Sequence, residues 1–138
     1  LMELVKLIEF SLFEEDNGDL VVFEENHDSI PFSIKRIFNV RSQKNSIRGM
    51  HAHRLCSQLL VCSRGSIQVT CDNSVTKEIY ILDKPNYGLL IPPGIWAEQK
   101  YLLSNSSMTV ICDRLYEEQD YISDYEDFKV FKNSLTIN

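Results

Sequence analysis

The sequence lacks a long apolar run, a cluster of basic residues and a Cys-x-x-Cys pair, and each absence excludes a class of protein. No apolar stretch approaches the roughly 18 residues of a membrane-spanning helix, so we expect no membrane partner. The net charge is −6, and Lys and Arg do not gather in one stripe, which argues against nucleic acid as a partner. The four cysteines show no Cys-x-x-Cys spacing, and three of them lie in or beside apolar runs. This pattern predicts buried reduced thiols rather than a disulfide framework or a zinc site. The cysteines are Cys56, Cys62, Cys71 and Cys112.

Internal repeats, low-complexity stretches and linkers rich in Pro, Gly or Ser are also missing. A chain of 138 residues is the size of one ordinary domain, so we expect residues 1–138 to form a single domain. The first ten residues, LMELVKLIEF, have neither a basic flank nor a small-residue cleavage site. They predict a strand or helix rather than an export signal, and we expect a cytoplasmic location.

What the sequence does contain is a series of short apolar and β-branched segments separated by turn residues. This pattern predicts an all-β fold, a closed barrel or a sandwich. In the tail, apolar residues at three- and four-residue spacings over residues 120–132 predict a short helical segment, or an extended one, packing on the barrel. The predicted strands are Leu20 to Phe23, Ile34 to Val40, Gln58 to Cys62, Ser66 to Cys71, Glu78 to Leu82, Gly88 to Ile91 and Met108 to Asp113.

The segment RGMHAH, residues 48–53, is the most suggestive for chemistry. If it is extended, His51 and His53 point to one face and Ala52 to the other, because side chains alternate along a strand. Alternatively, the two histidines have no function and are simply half-exposed at the start of a strand. A pair beside Arg48 and Gly49 favours a functional site.

A His-x-His pair on a β-barrel also begins the metal-binding cupin pattern, which continues with a carboxylate and a third histidine. Here Gln58 occupies the carboxylate position and Ala97 the histidine position, while His27 lies in a distant polar loop. A stable divalent site normally needs three protein ligands, so we expect no metal. Two metal-free imidazoles with pKa values near neutral suit proton transfer, on a substrate that the pattern itself leaves open.

Five stretches, taken in order and with their spacing, carry a resemblance to a known family. They are EEN with IPFSIKRIF (24–26 and 30–38), RGMHAHR (48–54), QLLVCSRGSIQV (58–69), GLLIPPGIW (88–96) and DYISDYEDF (120–128). The chain resembles the sugar-nucleotide 3,4-ketoisomerases, cupin-fold enzymes that act on thymidine-diphosphate-4-keto-6-deoxyglucose.

This resemblance implies a cupin, or double-stranded β-helix (jelly-roll), barrel that forms homodimers, often with exchanged strands. The keto group migrates from C4 to C3 of a thymidine-diphosphate sugar without a cofactor, through an enediol. By the same resemblance His51 is the expected base and His53 the partner that shuttles or orients protons. The product would feed deoxy-amino-sugar biosynthesis for surface glycans such as O-antigen.

The resemblance also implies substrate-binding residues. Arg36 and Arg48 are expected to grip the diphosphate through the paired donors of guanidinium, although each is also compatible with a plain surface charge. Trp96 and Glu98 are expected near the mouth of the pocket, with core packing as the rival role for Trp96. Gln58 either orients an imidazole or simply sits in a strand.

Several residues depart from the family pattern: Asn17, Phe38, Asn39, Ala97 and Ser123. By analogy they are expected near the pocket or its rim, so the C4 configuration of the product, galacto or gluco, stays open. Three alternatives also stay open: a 3- or 5-epimerase on the same scaffold, a binding module without turnover, and, least favoured, a metal-dependent cupin dioxygenase.

Overall fold

The computed structural model describes residues 4–136, which form a strand-rich fold with one helix near the C-terminal end. A one-turn 3-10 helix, Glu118–Asp120, precedes the last strand, and the α-helix α1 spans Tyr125–Thr136. The strands are β1 (Lys6–Glu9), β2 (Leu12–Glu15), β3 (Gly18–Val21), β4 (Arg36–Ser42), β5 (Ile47–His53), β6 (Gln58–Arg64), β7 (Ile67–Asp72), β8 (Lys77–Leu82), β9 (Tyr87–Ile91), β10 (Trp96–Tyr101), β11 (Ser106–Cys112) and β12 (Tyr121–Ile122).

Two five-stranded antiparallel sheets build the body of the molecule. One has the order β1-β9-β6-β11-β4 and the other β12-β5-β10-β7-β8, while β2 and β3 form a separate hairpin. The main core lies between the sheets, where Leu60 and Val110 of the first meet Val69 and Ala97 of the second. This arrangement confirms the expected all-β jelly roll with a C-terminal helical segment. In the described part of the chain, no helix combines the length and apolar character needed to cross a bilayer.

The predicted strands match observed ones, but β2 and β10 were not among the predicted segments, and the tail also differs from its prediction. Residues 120–132 were expected to form a short helix or an extended segment packing on the barrel, and both occur, since Tyr121 and Ile122 pair with His53 and Ala52 of β5. The helix therefore begins only at Tyr125. Tyr121 and Ile122 form backbone hydrogen bonds with the edge of β5, so they are not available to form the first turn of the helix.

Strand β5 contains a bulge that changes which of its side chains face the core. Ala97 of β10 is opposite His51, but the next residue, Glu98, is opposite Gly49, so Met50 is an extra residue in β5. Gly49 and Met50 both have positive φ, 84° and 56°, the left-handed conformation in which glycine is favoured. Because of this extra residue, Arg48 and His51 share a face although they are three residues apart.

The four cysteines are free and buried, which confirms the prediction of reduced thiols. Their burial raises the pKa of Cys62 to about 11 and that of Cys71 to about 12, so these two remain neutral thiols near neutral pH. Cys56 and Cys112 belong to a different environment beside the histidines.

Candidate active site

A cavity of about 170 Å³ opens between the two sheets at the end where β5 carries its histidines. Polar side chains from both sheets share its wall with apolar side chains of the core. Its lining consists of Phe38, Val40, Arg48, Gly49, His51, Gln58, Leu60, Gln99, Met108, Val110 and Tyr121. The jelly roll thus brings strands distant in sequence to one wall.

His51 and His53 project from the same face of β5, as the alternation of side chains predicts. Their ring centroids are 5.1 Å apart. His51 lines the main cavity, while His53, only 6% exposed, lines a smaller one next to it together with His51 and Gln58. The structure therefore places His51 toward the opening and His53 behind it.

The hydrogen bonds of the two rings define which nitrogen carries a proton. His51 Nδ1 lies 2.9 Å from the Gly49 carbonyl oxygen, which only accepts, so Nδ1 is the donor. His53 Nδ1 lies 2.7 Å from Asp120 Oδ2 in the same donor role, and its buried Nε2 has no hydrogen-bond partner within residues 4–136. Nε2 of each neutral ring is then left with a lone pair that can take a proton.

Burial is the main influence on the protonation of the two histidines. It lowers the pKa of His51 below the usual 6.5, and the neighbouring His53 adds to the effect. Burial also lowers the pKa of His53 and outweighs the opposing influence of Asp120. Burial would raise the pKa of Asp120, but its hydrogen bonds with His53 and with the backbone N–H groups of Leu55 and Cys56 lower it. At neutral pH the group holds one carboxylate and two neutral imidazoles.

Tyr121 and Asp120 are site residues that the sequence pattern did not single out. The Tyr121 ring lies 4.4 Å from the His53 ring and 5.1 Å from the His51 ring. Burial raises its pKa, although Arg36 beside its hydroxyl opposes the shift, so the phenol stays protonated. Both residues begin the DYISDYEDF stretch, whose resemblance to the family was the available signal.

Three of the expected binding residues come together with the histidines. Arg48 stands at the exposed mouth of the cavity, and Gln58 is 9% exposed in its wall. Arg36 lies deeper, with its guanidinium carbon 5.4 Å from the centre of the Phe38 ring. Two cationic groups thus flank the cavity that His51 faces.

Trp96 and Glu98 are not brought to this cavity, which corrects their expected placement. In β10 it is Ala97 and Gln99 that face inward, so Trp96 and Glu98 point to the opposite side of the sheet. There Trp96 packs in a separate cluster with Ala52, Ile122 and Phe128. Its Nε1 donates a hydrogen bond to Glu98 Oε2 at 2.9 Å. Core packing, the rival role for Trp96, accounts for these contacts.

The departures from the family pattern divide into two groups. Phe38 lines the main cavity and Ala97 borders the smaller one, as expected. Asn39 faces outward, where it accepts a hydrogen bond from Thr109 at 2.7 Å. Asn17 is exposed in the β2–β3 turn, Ser123 is exposed between β12 and α1, and neither lines the cavity.

A metal ion would find its best set of ligands among the described residues at His53, Cys56 and Asp120, whose ligating atoms lie within 4.8 Å of one another. These atoms are already engaged, however. Asp120 Oδ2 accepts from His53, and Oδ1 accepts from the backbone N–H of Leu55 at 2.6 Å. The arrangement fits a hydrogen-bonded carboxylate-imidazole pair better than a ligand shell.

The chain is similar to a known protein family and to a characterised relative over most of its length. A family model described as FdtA, WxcM-like, C-terminal matches residues 3–133. A relative from Aneurinibacillus thermoaerophilus, a TDP-4-oxo-6-deoxy-alpha-D-glucose-3,4-oxoisomerase, is 39% identical over 127 residues, 91% of each chain.

Solved structures show the same similarity. A 3,4-ketoisomerase from Helicobacter canadensis has 31% identity and a TM-score of 0.88, covering 94% of this chain and 97% of its own. The 3,4-ketoisomerase QdtA from Thermoanaerobacterium thermosaccharolyticum, solved as a His-to-Asn variant with TDP-4-keto-6-deoxyglucose, has 27% identity and a TM-score of 0.92 over the full length of both chains.

Proposed function

The chain belongs to the FdtA family of sugar 3,4-ketoisomerases and is an isomerase, and from this premise we propose its substrate and the roles of its residues. The substrate is thymidine-diphosphate-4-keto-6-deoxyglucose, the compound named for the relatives. The product is the corresponding 3-keto-6-deoxyhexose. The observation that carries the proposal is the pair of neutral imidazoles of which His51 faces a cavity flanked by two arginines.

His51 acts as the base in this proposal. Its Nε2 takes the proton from C3 of the 4-keto sugar, and the electron pair of the C3–H bond forms the C3–C4 double bond of an enediol while O4 gains a proton. In the second half, O3 loses its proton, the C3 carbonyl forms and a proton is added to C4. The net change moves the carbonyl from C4 to C3 without oxidant or reductant.

His53 serves as the relay behind His51. The carboxylate of Asp120 holds His53 Nδ1–H at 2.7 Å, which keeps its Nε2 available to accept a proton. The protonated hydroxyl of Tyr121, beside both rings, is available to donate toward the sugar oxygens. A base, its relay and a donor then lie around one substrate position.

Arg48 at the mouth and Arg36 beside the lining residue Phe38 bind the diphosphate in this proposal, because guanidinium offers paired donors to phosphate oxygens. Gln58 contacts the sugar or orients it from the opposite sheet. Trp96 and Glu98 take no part, since they support the other side of β10.

Incubation of the protein with the 4-keto substrate in deuterated water tests the reaction, with the products resolved by nuclear magnetic resonance. We expect a 3-keto sugar labelled at C4, and a 3-amino sugar once an aminotransferase and an amino donor are added. The configuration at C4 of that product distinguishes galacto from gluco. Inversion at C3 or C5 with the carbonyl still at C4 would instead indicate an epimerase, and tight binding without product would indicate a binding module.

Replacement of the proposed base provides the first mutational prediction. His51→Asn should lower kcat roughly 100-fold or more, the usual loss when a general base is removed. His27→Asn is the matched control, because His27 is exposed in a distant loop. Activity of His51→Asn at the level of this control would remove His51 from the mechanism.

We also propose a homodimer of single-domain cupin chains acting in the cytoplasm, with a product used for surface glycans. Ile79 and Ile81 of the edge strand β8 are 62% and 47% exposed, an apolar surface that a second copy could cover. The four free cysteines suit a reducing compartment. A monomer mass in light scattering would contradict the dimer.

A further inference from the structure

Cys112 lies in the middle of a row of side chains that crosses three neighbouring strands. It is opposite Arg36 of β4 on one side and opposite Gln58 of β6 on the other. Residues directly opposite in an antiparallel pair project to the same face of the sheet. Arg36, Cys112 and Gln58 therefore share the inner face next to the cavity.

Hydrogen bonds converge on the Cys112 sulfur from both neighbours. Arg36 Nη2 donates to it at 3.6 Å and Gln58 Nε2 donates at 3.5 Å. Cys112 itself is 0% exposed. The Nε atom of Arg36 is buried and makes no hydrogen bond within residues 4–136, so the guanidinium depends on its other nitrogens, of which Nη2 donates to the sulfur.

The surroundings favour negative charge on this sulfur. The pKa of Cys112 is lowered by the facing thiol of Cys56 and by Gln58 and Arg36, which together outweigh burial. The pKa of Cys56 is raised in turn, because it stays protonated beside Cys112. The other charged or titratable groups around the two sulfurs are Asp113, Arg114, Asp120 and Tyr121.

We propose that Cys112 is a positioning residue of the isomerase, a thiolate that holds the Arg36 guanidinium and the Gln58 amide in place at the cavity wall. The half-buried Arg36 guanidinium is stabilised by a nearby anion, and this sulfur lies within hydrogen-bond distance of its Nη2. Arg36 is thereby kept beside Phe38 and the Tyr121 hydroxyl. The inference rests on the proposed function, in which Arg36 and Gln58 bind the substrate.

The far-ultraviolet absorbance of the thiolate tests the charge directly in the wild-type protein. We expect one thiolate per chain to form as the pH rises through neutrality, well before the thiols of Cys62 and Cys71, whose pKa values are raised to about 11 and about 12. Cys112→Ala should lose this step and Cys62→Ala should keep it. A wild-type chain without a thiolate near neutral pH would overturn the proposal, whether or not the variants fold.

Kinetics test the positioning role. Cys112→Ala should raise KM roughly tenfold with a smaller change in kcat, because an anchor of the binding groups is lost while His51 is untouched. Cys62→Ala is the matched control, since it removes a buried sulfur four residues along β6 from Gln58. An unchanged KM in folded Cys112→Ala would overturn the proposal. If the wild type fails to turn over the 4-keto sugar, the proposed function fails, while the absorbance still reports on the thiolate.

Discussion

At the scale of single residues, Asp120 determines which nitrogen of His53 carries a proton. Its carboxylate only accepts, so His53 Nδ1 must donate and Nε2 faces inward without a proton. An amide in the same place could bind either form of the ring. The carboxylate therefore matters for its charge and for its acceptor character, and not only for its shape.

Asp120→Asn should accordingly lower kcat roughly 100-fold, since it removes the control of the His53 tautomer while retaining an acceptor for the Leu55 N–H. The thermal midpoint should change far less than the rate. Asp16→Asn, an exposed residue of the β2–β3 turn, serves as control. A fully active Asp120→Asn would exclude His53 as a relay.

At the scale of elements, the bulge in β5 decides which side chains meet in the cavity. A regular strand would send Arg48 and His51 to opposite faces because they are three residues apart. The extra residue at Met50 brings both to the inner face. Gly49 permits this geometry through its φ of 84° and through its close approach to the Gln99 amide.

Gly49→Ala should reduce both stability and activity. A Cβ at this position would overlap the Gln99 side chain, and the left-handed backbone adds strain. Gly94→Ala is a matched control, because Gly94 has the same φ of 84° but its nearest neighbour to a Cβ is Lys132 Nζ at 3.5 Å. We expect a loss of about 1 kcal/mol in the free energy of unfolding for Gly94→Ala and about 1–3 kcal/mol more for Gly49→Ala, measured with denaturant. Equal losses would show that the overlap is relieved without cost.

At the scale of the whole molecule, the buried histidines make stability depend on pH. The folded chain lowers the pKa of His51 and His53 below 6.5, so the unfolded chain binds protons more readily. The contribution of the two histidines to stability is then complete above about pH 6.5 and decreases as the pH drops toward their folded pKa values. The lowered pKa of Cys112 acts with the same sign but begins at higher pH, near the ordinary 9.0 of a thiol.

The free energy of unfolding of the wild-type protein should therefore decrease as the pH is lowered from about 6.5 to 5, by up to about 1.4 kcal/mol per pH unit for each histidine. The thermal midpoint should fall with it. His51→Asn should flatten this slope, because it removes one of the two buried imidazoles. A wild-type midpoint that does not vary over this range would mean that the histidines are protonated equally in both states.

The sequence by itself determined the features that depend on local periodicity and composition. Alternation placed His51 and His53 on one face, and the apolar segments separated by turns predicted an all-β fold with buried thiols. Resemblance added Arg36, Arg48 and Gln58, which lie at or beside the cavity.

Only the tertiary structure decided what depends on strand pairing. The pairing of β12 with β5 kept Tyr121 out of the helix and brought Asp120 to His53 across 67 residues of chain. The inward faces of β10 and of the bulged β5 placed Ala97 and Gln99 in the cavity walls and turned Trp96 and Glu98 away. Register and bulges follow from contacts between distant segments, and a one-residue shift reverses every face, so local pattern alone does not contain them.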